Sequence, residues 1–371
     1  MIYNYFNNIK SKNLNIDLPE WCNNQIQEDL KYFNKYDMSN SNLEKIMQKS
    51  QGNSSLLLVR FKIVDNKLFY YKGNTFALLR HDNKRKVTAK YKYICSILYR
   101  IKEFVKNVDF IISLQDYCLN DEIQPIFTFA KDLNKSIEKY NILIPDWLTL
   151  RGKHKDSWNN LKTKIDKKKK IWHFNQKENK IIWRGSLNTA YRKKFSEIAK
   201  KNKNYINNEN NFIKQQDHLK YKYQIVFDGC RCTWPGYLWR LYSGCLTIKH
   251  ESTQVQWFYG ALKENIHYVS LKKDFEEKDL IELCVWLNKN QEKCKKISDN
   301  AEKFIIDNMS VESMLSYYIN LLNEYADIQC TSENTDNFSS NFLYFNNKKK
   351  YKAYLVLSNI WNTHIKRLKY D

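Results

Sequence analysis

The stretch Ile182-Trp183-Arg184-Gly185-Ser186, followed six residues after the serine by Arg192, constrains this chain more than any other. The apolar run from Asn179 to Trp183 has the length and composition of a buried strand. It empties into a turn of small residues, and the arginine lies on the helix that follows. Strand, small-residue turn and helix in this order is how an α/β protein builds a phosphate site. Glycine lets the backbone approach, a hydroxyl and helix amides donate hydrogen bonds, and arginine supplies a fixed charge.

The pattern around this stretch repeats. Strands are expected at 180–183, 223–227, 245–249 and 266–270, and helices at 189–201, 235–242, 254–262 and 279–288. On the last of these Leu280, Cys284 and Leu287 share one face, and Cys294, Ile297, Ala301, Phe304 and Ile305 give a further helix the same spacing. Repeated β-α-β units with short connections predict a parallel sheet with right-handed crossovers, and ligands of such sheets bind beyond the carboxyl ends of the strands. Upstream, residues 1–50 read as polar helices with Trp21 as an anchor into the core. Leu56 to Tyr71 reads as a hairpin turning at Asp65-Asn66. Tyr91 to Val105 has helical spacing, a strand then ends at Asp116, and Pro125 to Ala130 is another short strand. Ile142 to Trp147 leads into a loop, and the basic Lys153 to Lys170 covers a helix whose Lys167–Lys170 run is a solvated face. Residues 328–341 read as a polar linker, and the tail from Phe342 as a helix folding back. Domains are placed at 1–172, 173–327 and 328–371.

The chain has 371 residues, enough for two domains with real cores. Its formal net charge of +22 favours anionic partners: nucleotides, nucleic acids or an anionic membrane surface touched peripherally. A basic nucleic-acid-binding protein is the rival from another class. Such a protein concentrates its basic residues on one face with aromatics between them, whereas here lysines spread over nearly every segment, so no nucleic-acid partner is expected. The nine cysteines are odd in number and scattered, several inside apolar runs as small core residues. Cys230 and Cys232 form a C-x-C with no second pair at zinc-ligand spacing. With no apolar signal segment at the N-terminus and no long apolar run, a reduced, cytoplasmic protein is expected.

Residue by residue, bland readings compete with functional ones. Asp116, in Phe110-Ile111-Ile112-Ser113-Leu114-Gln115-Asp116-Tyr117, is by itself most simply a strand-end turn residue. Arg192 heads a charged run, Arg192-Lys193-Lys194, which alone reads as a solvated face, and Ser186 reads as a helix cap, a role compatible with holding phosphate. The aromatics of Thr233-Trp234-Pro235-Gly236-Tyr237-Leu238-Trp239-Arg240-Leu241 and Gln256-Trp257-Phe258-Tyr259 read mostly as core. His267 reads as a satisfied core histidine.

Taken in order, however, the Asp116 cluster, the 182–192 stretch, Tyr221-Lys222-Tyr223 through Asp228-Gly229, Ser243-Gly244, Gln256-Trp257-Phe258-Tyr259 and His267-Tyr268 resemble glycosyltransferase family 90 over roughly residues 55–310. The motif details lean to bacterial-type members. The resemblance implies a GT-B fold, two Rossmann-like domains with parallel sheets facing a cleft. It implies an inverting transfer of a sugar, glucose or xylose, from a UDP-sugar to a hydroxyl, with no cofactor. A glycan or lipopolysaccharide-type acceptor is the first expectation and a serine of a protein the alternative. Asp116 matches the family's catalytic base, with Gln115 where members usually have arginine. Ser186 and Arg192 match positions holding the diphosphate, with Gly185, Asp228, Gly229, Arg231, Thr233 and Trp234 around the donor. Tyr117, Trp147 and Gln256 fall to the acceptor or sugar pocket. Eukaryotic members place a further phosphate-contacting arginine where, aligned back from Ser243-Gly244, this chain has Gly236, so Arg231 is the candidate to supply that charge from another direction. The acidic Asp121-Glu122 loop has no D-x-D after an apolar strand, so no obligatory metal is expected.

Overall fold

The computed structural model describes residues 17–51, 56–74, 84–116, 121–150, 157–208, 212–233, 235–330 and 341–345. In chain order the first elements are α1 (Glu20–Leu30), α2 (Asn40–Gln51), β1 (Leu58–Val64), β2 (Lys67–Tyr71), α3 (Lys84–Ile101), β3 (Val108–Ser113), β4 (Ile126–Thr128), β5 (Lys131–Asp132) and β6 (Ile142–Leu143). There follow α4 (Trp158–Lys169), β7 (Glu178–Ile182), α5 (Ala190–Lys201), β8 (Ile206–Asn207), β9 (Tyr221–Val226), α6 (Gly236–Tyr242), β10 (Leu246–His250), β11 (Gln254–Val255) and β12 (Val269–Leu271). The chain continues through α7 (Glu277–Lys289), α8 (Gln291–Asn308), α9 (Val311–Cys330) and β13 (Phe342–Tyr344). Two compact units emerge, one of residues 33–115 and 322–371, the other of residues 1–32 and 116–321.

In the first unit β1 pairs antiparallel with β2 and with β3, and β2 also pairs with β13. The hairpin turns at Asp65 and Asn66, with φ of 49° and 60°, the left-handed pair that a tight two-residue hairpin requires. Arg60 on β1 is fully buried and holds Asp109 of β3 through Nε (2.8 Å) and Nη2 (2.7 Å) and Glu44 of α2 through Nη1 (3.0 Å). A buried charge is tolerable when paired in this way.

The second unit contains the parallel sheet that the sequence predicts, with one unforeseen short strand, β8, added at its edge. Its strand order is β12-β10-β9-β7-β8. Every residue of β9 and β10 is buried, as befits central parallel strands covered on both faces. Ile181, Trp183, Tyr223, Ile225, Leu246 and Ile248 from the sheet share one core with Phe195 of α5, Leu280 and Leu287 of α7 and Ile297 of α8. Glu276 and Asp279 cap α7 reciprocally. After α6, Gly244 takes a φ of 64°, which only glycine adopts freely, and Ser243 Oγ donates to the Arg240 carbonyl at 2.6 Å. The Ser243-Gly244 pair is thus a helix stop.

Four expectations are corrected. The strands β1, β2, β3 and β13 of the first unit pair antiparallel, through a tight hairpin and added edge strands, and do not form the parallel sheet expected of an N-terminal Rossmann-like half. Residues 254–262 are not a helix: Gln254 and Val255 pair antiparallel with β5, and Tyr259–Ala261 make one short 3-10 turn. Strand pairing with Lys131 and Asp132, reinforced by Thr253 Oγ1 on Asp132 (2.6 Å), outweighs local helical preference there. The tail does not begin as a helix either. Phe342–Tyr344 add a strand to β2, with Lys62 and Arg60 over the Phe342 ring. Nor does a linker start at 328, because α9 runs on to Cys330. Gln329 is buried there, exchanging hydrogen bonds with the backbone of Asp109. Residues 331–340 and 346–371 lie outside the described residues.

Trp21 is an anchor, as expected. It packs on Trp257 and Phe304 and donates to Asn308 Oδ1 at 3.1 Å. Cys22, Cys95, Cys245, Cys284 and Cys294 are buried and free, whereas Lys169 of the basic helix lies over the Tyr242 ring and pairs with Glu302. No helix among the described residues is long and apolar enough to cross a membrane.

Candidate donor site

In chain order the five parallel strands run β7, β8, β9, β10, β12, so the sheet reverses direction between β7 and β9. Doubly wound sheets bind ligands at that switch point, outside the carboxyl ends of the two strands. The 183–189 turn leaves β7 at this end, and Phe227-Asp228-Gly229 leaves β9 beside it.

Arg192, in the first turn of α5, spans the two. Its Nη2 donates to the Phe227 carbonyl (2.9 Å). Its Nη1 donates to the Ser186 carbonyl (3.1 Å), Ser186 Oγ (3.4 Å) and Asn188 Oδ1 (2.9 Å). The guanidinium sits over the Trp183 ring, 5.5 Å from its centroid, and Trp183 meets Phe195 and Phe227 edge-on. No carboxylate among the described residues forms an ion pair with Arg192, and burial works against its charge. A cation held by carbonyls and an aromatic face at a strand switch point is chemically suited to an anion.

The glycines fit this geometry. A Cβ on Gly185 would stand 2.6 Å from the Trp183 ring, and one on Gly229 would stand 3.5 Å from Arg192 Nη2. Ser186 is exposed, its hydroxyl beside the guanidinium. Tyr191 Oη donates to the Asp228 carbonyl at 2.7 Å, and its ring stacks on His250 at 4.7 Å. The Asp228 carboxylate is buried and taken by Lys249 Nζ at 2.7 Å, so Asp228 organises the loop through a charge pair.

The loop after Gly229 carries the remaining donor candidates. Arg231 Nη2 reaches the buried Glu138 at 2.7 Å. Thr233 is buried, and its Oγ1 has no partner among the described residues. Gln256 is buried and donates through Nε2 to the Cys232 carbonyl, so it braces this loop. Trp234 and Tyr117 lie outside the described residues. Asp116 follows β3 by three residues and is half-buried, and Trp147 is buried after β6. Neither belongs to the hydrogen-bond group around Arg192. His267 closes a turn: its Nδ1 accepts from the Lys263 amide at 2.9 Å, its ring meets Phe304, and burial lowers its pKa.

Two features were not singled out in the sequence. Arg240 of α6 is buried, and burial followed by the charge of Arg192 brings its pKa down to about 9. His218 is buried against Trp239, and burial followed by the charges of Arg240 and Arg184 pushes its pKa down to about 3. An arginine inside the aromatic run 237–242 was the available signal for the first. Nothing in the sequence marks the second.

The Glycosyl transferase family 90 model matches residues 19–342. The chain belongs to this family. Protein O-glucosyltransferase 1 of Rattus norvegicus is 22% identical over 291 residues, covering 68% of this chain and 72% of the rat protein. Protein O-glucosyltransferase 1 of Bos taurus is also 22% identical, over 295 residues, 66% of this chain and 73% of that protein. Protein O-glucosyltransferase 2 of Danio rerio is 33% identical over a shorter stretch of 116 residues, 31% of this chain and 22% of the fish protein. As a member of family 90 the chain is a glycosyltransferase.

Proposed function

We propose that the protein is an inverting, metal-independent transferase of GT-B architecture that moves a sugar, glucose first, from a UDP-sugar to a serine hydroxyl of a protein. The observation that carries the donor half of this reading is Arg192, a cation without an ion-pair partner among the described residues, bridging the ends of β7 and β9 beside the Ser186 hydroxyl. The protein acceptor is drawn from the relatives, which are named protein O-glucosyltransferases, and it displaces the saccharide acceptor that the motif details favour. In the proposed step the acceptor oxygen attacks the anomeric carbon while Asp116 takes its proton. The bond from that carbon to the phosphate oxygen breaks, and UDP leaves with the electron pair. Cations and fixed donors around the diphosphate stabilise the charge that builds on the leaving group.

The test is a thermal-shift panel of nucleotides followed by transfer assays from UDP-glucose and UDP-xylose. UDP is expected to raise the melting temperature more than the other nucleoside diphosphates. Sugar is expected on folded protein domains and not on free oligosaccharides. Transfer to saccharides alone would return the acceptor to the glycan class, and absence of any UDP-selective shift would refute the donor.

A further inference from the structure

A nucleoside diphosphate brings at least two negative charges, and Arg192 supplies one positive charge. The other cations near the β7–β9 switch point differ in what already holds them. Lys249 is committed to Asp228 at 2.7 Å, and Arg231 to Glu138 at 2.7 Å, with both carboxylates buried. A buried ion pair opened by a ligand leaves its other member desolvated and alone, which is costly. Neither cation is therefore free to turn to a phosphate without that loss.

Arg240 is in the opposite condition. It is 7% exposed, and no carboxylate among the described residues lies within ion-pairing distance of it. Its guanidinium lies on the Trp239 ring at 4.2 Å and gives one hydrogen bond, from Nη1 to the Gly236 carbonyl at 2.8 Å. Its Nε is buried with no acceptor, and Arg192 Nε is in the same state. Gly236 leaves room for this arrangement, since a Cβ there would stand 3.2 Å from Arg240 Nη1. A buried guanidinium and a half-buried one whose charge works against it, each with an unmet Nε donor and neither with a counter-ion among the described residues, are unfavourable in isolation. One shared polyanion between them removes both the repulsion and the orphaned donors.

We propose that Arg240, and not Arg231, is the second cation on the donor's diphosphate, acting together with Arg192. This rests on the UDP-sugar reading above. Arg231 then has a positioning role, clamping the 229–233 loop through Glu138. Gly236, at the place where relatives carry their second phosphate arginine, becomes the small residue that lets Arg240 reach the site from one helical turn further on.

The experiment compares binding of UDP, UMP and uridine to the unmodified protein and to Arg240→Gln by calorimetry. UDP is expected to weaken about 30-fold in the variant, UMP less, and uridine not at all, the scale for losing a charge-assisted contact. Full UDP affinity in Arg240→Gln overturns the proposal, and so does an equal loss for uridine, which marks damage to the fold. A phosphate-selective loss in Arg231→Gln with none in Arg240→Gln returns the role to Arg231. If Arg240→Gln does not fold, Arg240→Lys decides: a lysine keeps the charge but not the fork, so UDP weakens by several-fold and uridine does not, whereas unchanged UDP binding overturns the inference. Failure of the unmodified protein to bind UDP would refute the donor reading itself, an outcome separate from all of these.

Discussion

Arg192 Nη2 donates to the carbonyl oxygen of Phe227 at 2.9 Å, and this one hydrogen bond joins the first turn of α5 to the end of β9. The guanidinium thus belongs to the frame of the sheet as much as to a ligand. Its position is fixed by the Phe227 and Ser186 carbonyls below and by the Trp183 ring, and it needs little reorganisation to meet an anion.

Replacing Arg192 with alanine is therefore expected to weaken UDP by about 2 kcal/mol, roughly 30-fold. Uridine, which lacks phosphate, should bind the variant and the unmodified protein alike. Calorimetric titration with both ligands checks this, and equal losses would show that the arginine serves only the frame.

For Asp116 the expectation differs in kind. Asp116→Asn should leave UDP affinity within about twofold and cut transfer by on the order of a hundredfold or more, the scale for removing a general base. Single-turnover transfer measured beside UDP titration separates the two effects. Turnover near that of the unmodified protein would remove Asp116 from the mechanism.

Gly185 tests the packing beneath the site. A methyl group there would meet the Trp183 ring at 2.6 Å, and that ring is backed by Phe195 and Phe227 and has little freedom to retreat. Gly185→Ala should cost about 1–3 kcal/mol in urea unfolding, as overpacking does, and should weaken UDP because Trp183 carries Arg192. An unchanged urea midpoint would show that the turn yields.

The acid side of the stability profile should carry a mark from His218. Its folded pKa, about 3, lies below the ordinary value of 6.5, so between these values the unfolded chain binds the proton and the folded chain does not. Stability is complete above about pH 6.5 and falls as the pH drops through that window, by at most about 1.4 kcal/mol per unit from this one group. His218→Phe should flatten the loss between pH 7 and pH 5. Parallel profiles for the two proteins would assign the acid loss to carboxylates instead.

Removal of divalent metal should leave transfer intact if, as proposed, Arg192 and Arg240 supply the positive charge around the diphosphate. Activity in excess EDTA is the measurement. Complete loss restored by manganese or magnesium would show that a metal ligand exists, and the exposed Asp121 and Glu122 are the first residues to replace.

Much of this protein is decided by sequence because it is written in local periodicity. The apolar runs of β7, β9 and β10 with the helical stripes of α7 and α8 dictate a parallel sheet, and Asp65-Asn66 dictates a hairpin. The Gly185-Ser186 turn, with Arg192 six residues after the serine, marks the candidate donor end by residue type and spacing. What sequence could not decide depended on partners far away in the chain. Gln254 and Val255 became a strand because β5 offered unpaired backbone, and Phe342–Tyr344 did so because the edge of β2 was open. The allocation of charge is likewise tertiary. Arg231 and Arg240 are equivalent as letters, but Glu138, 93 residues before Arg231, neutralises one of them and no described carboxylate reaches the other. A cation's availability depends on the field of its neighbours, and that field exists only once the chain has folded.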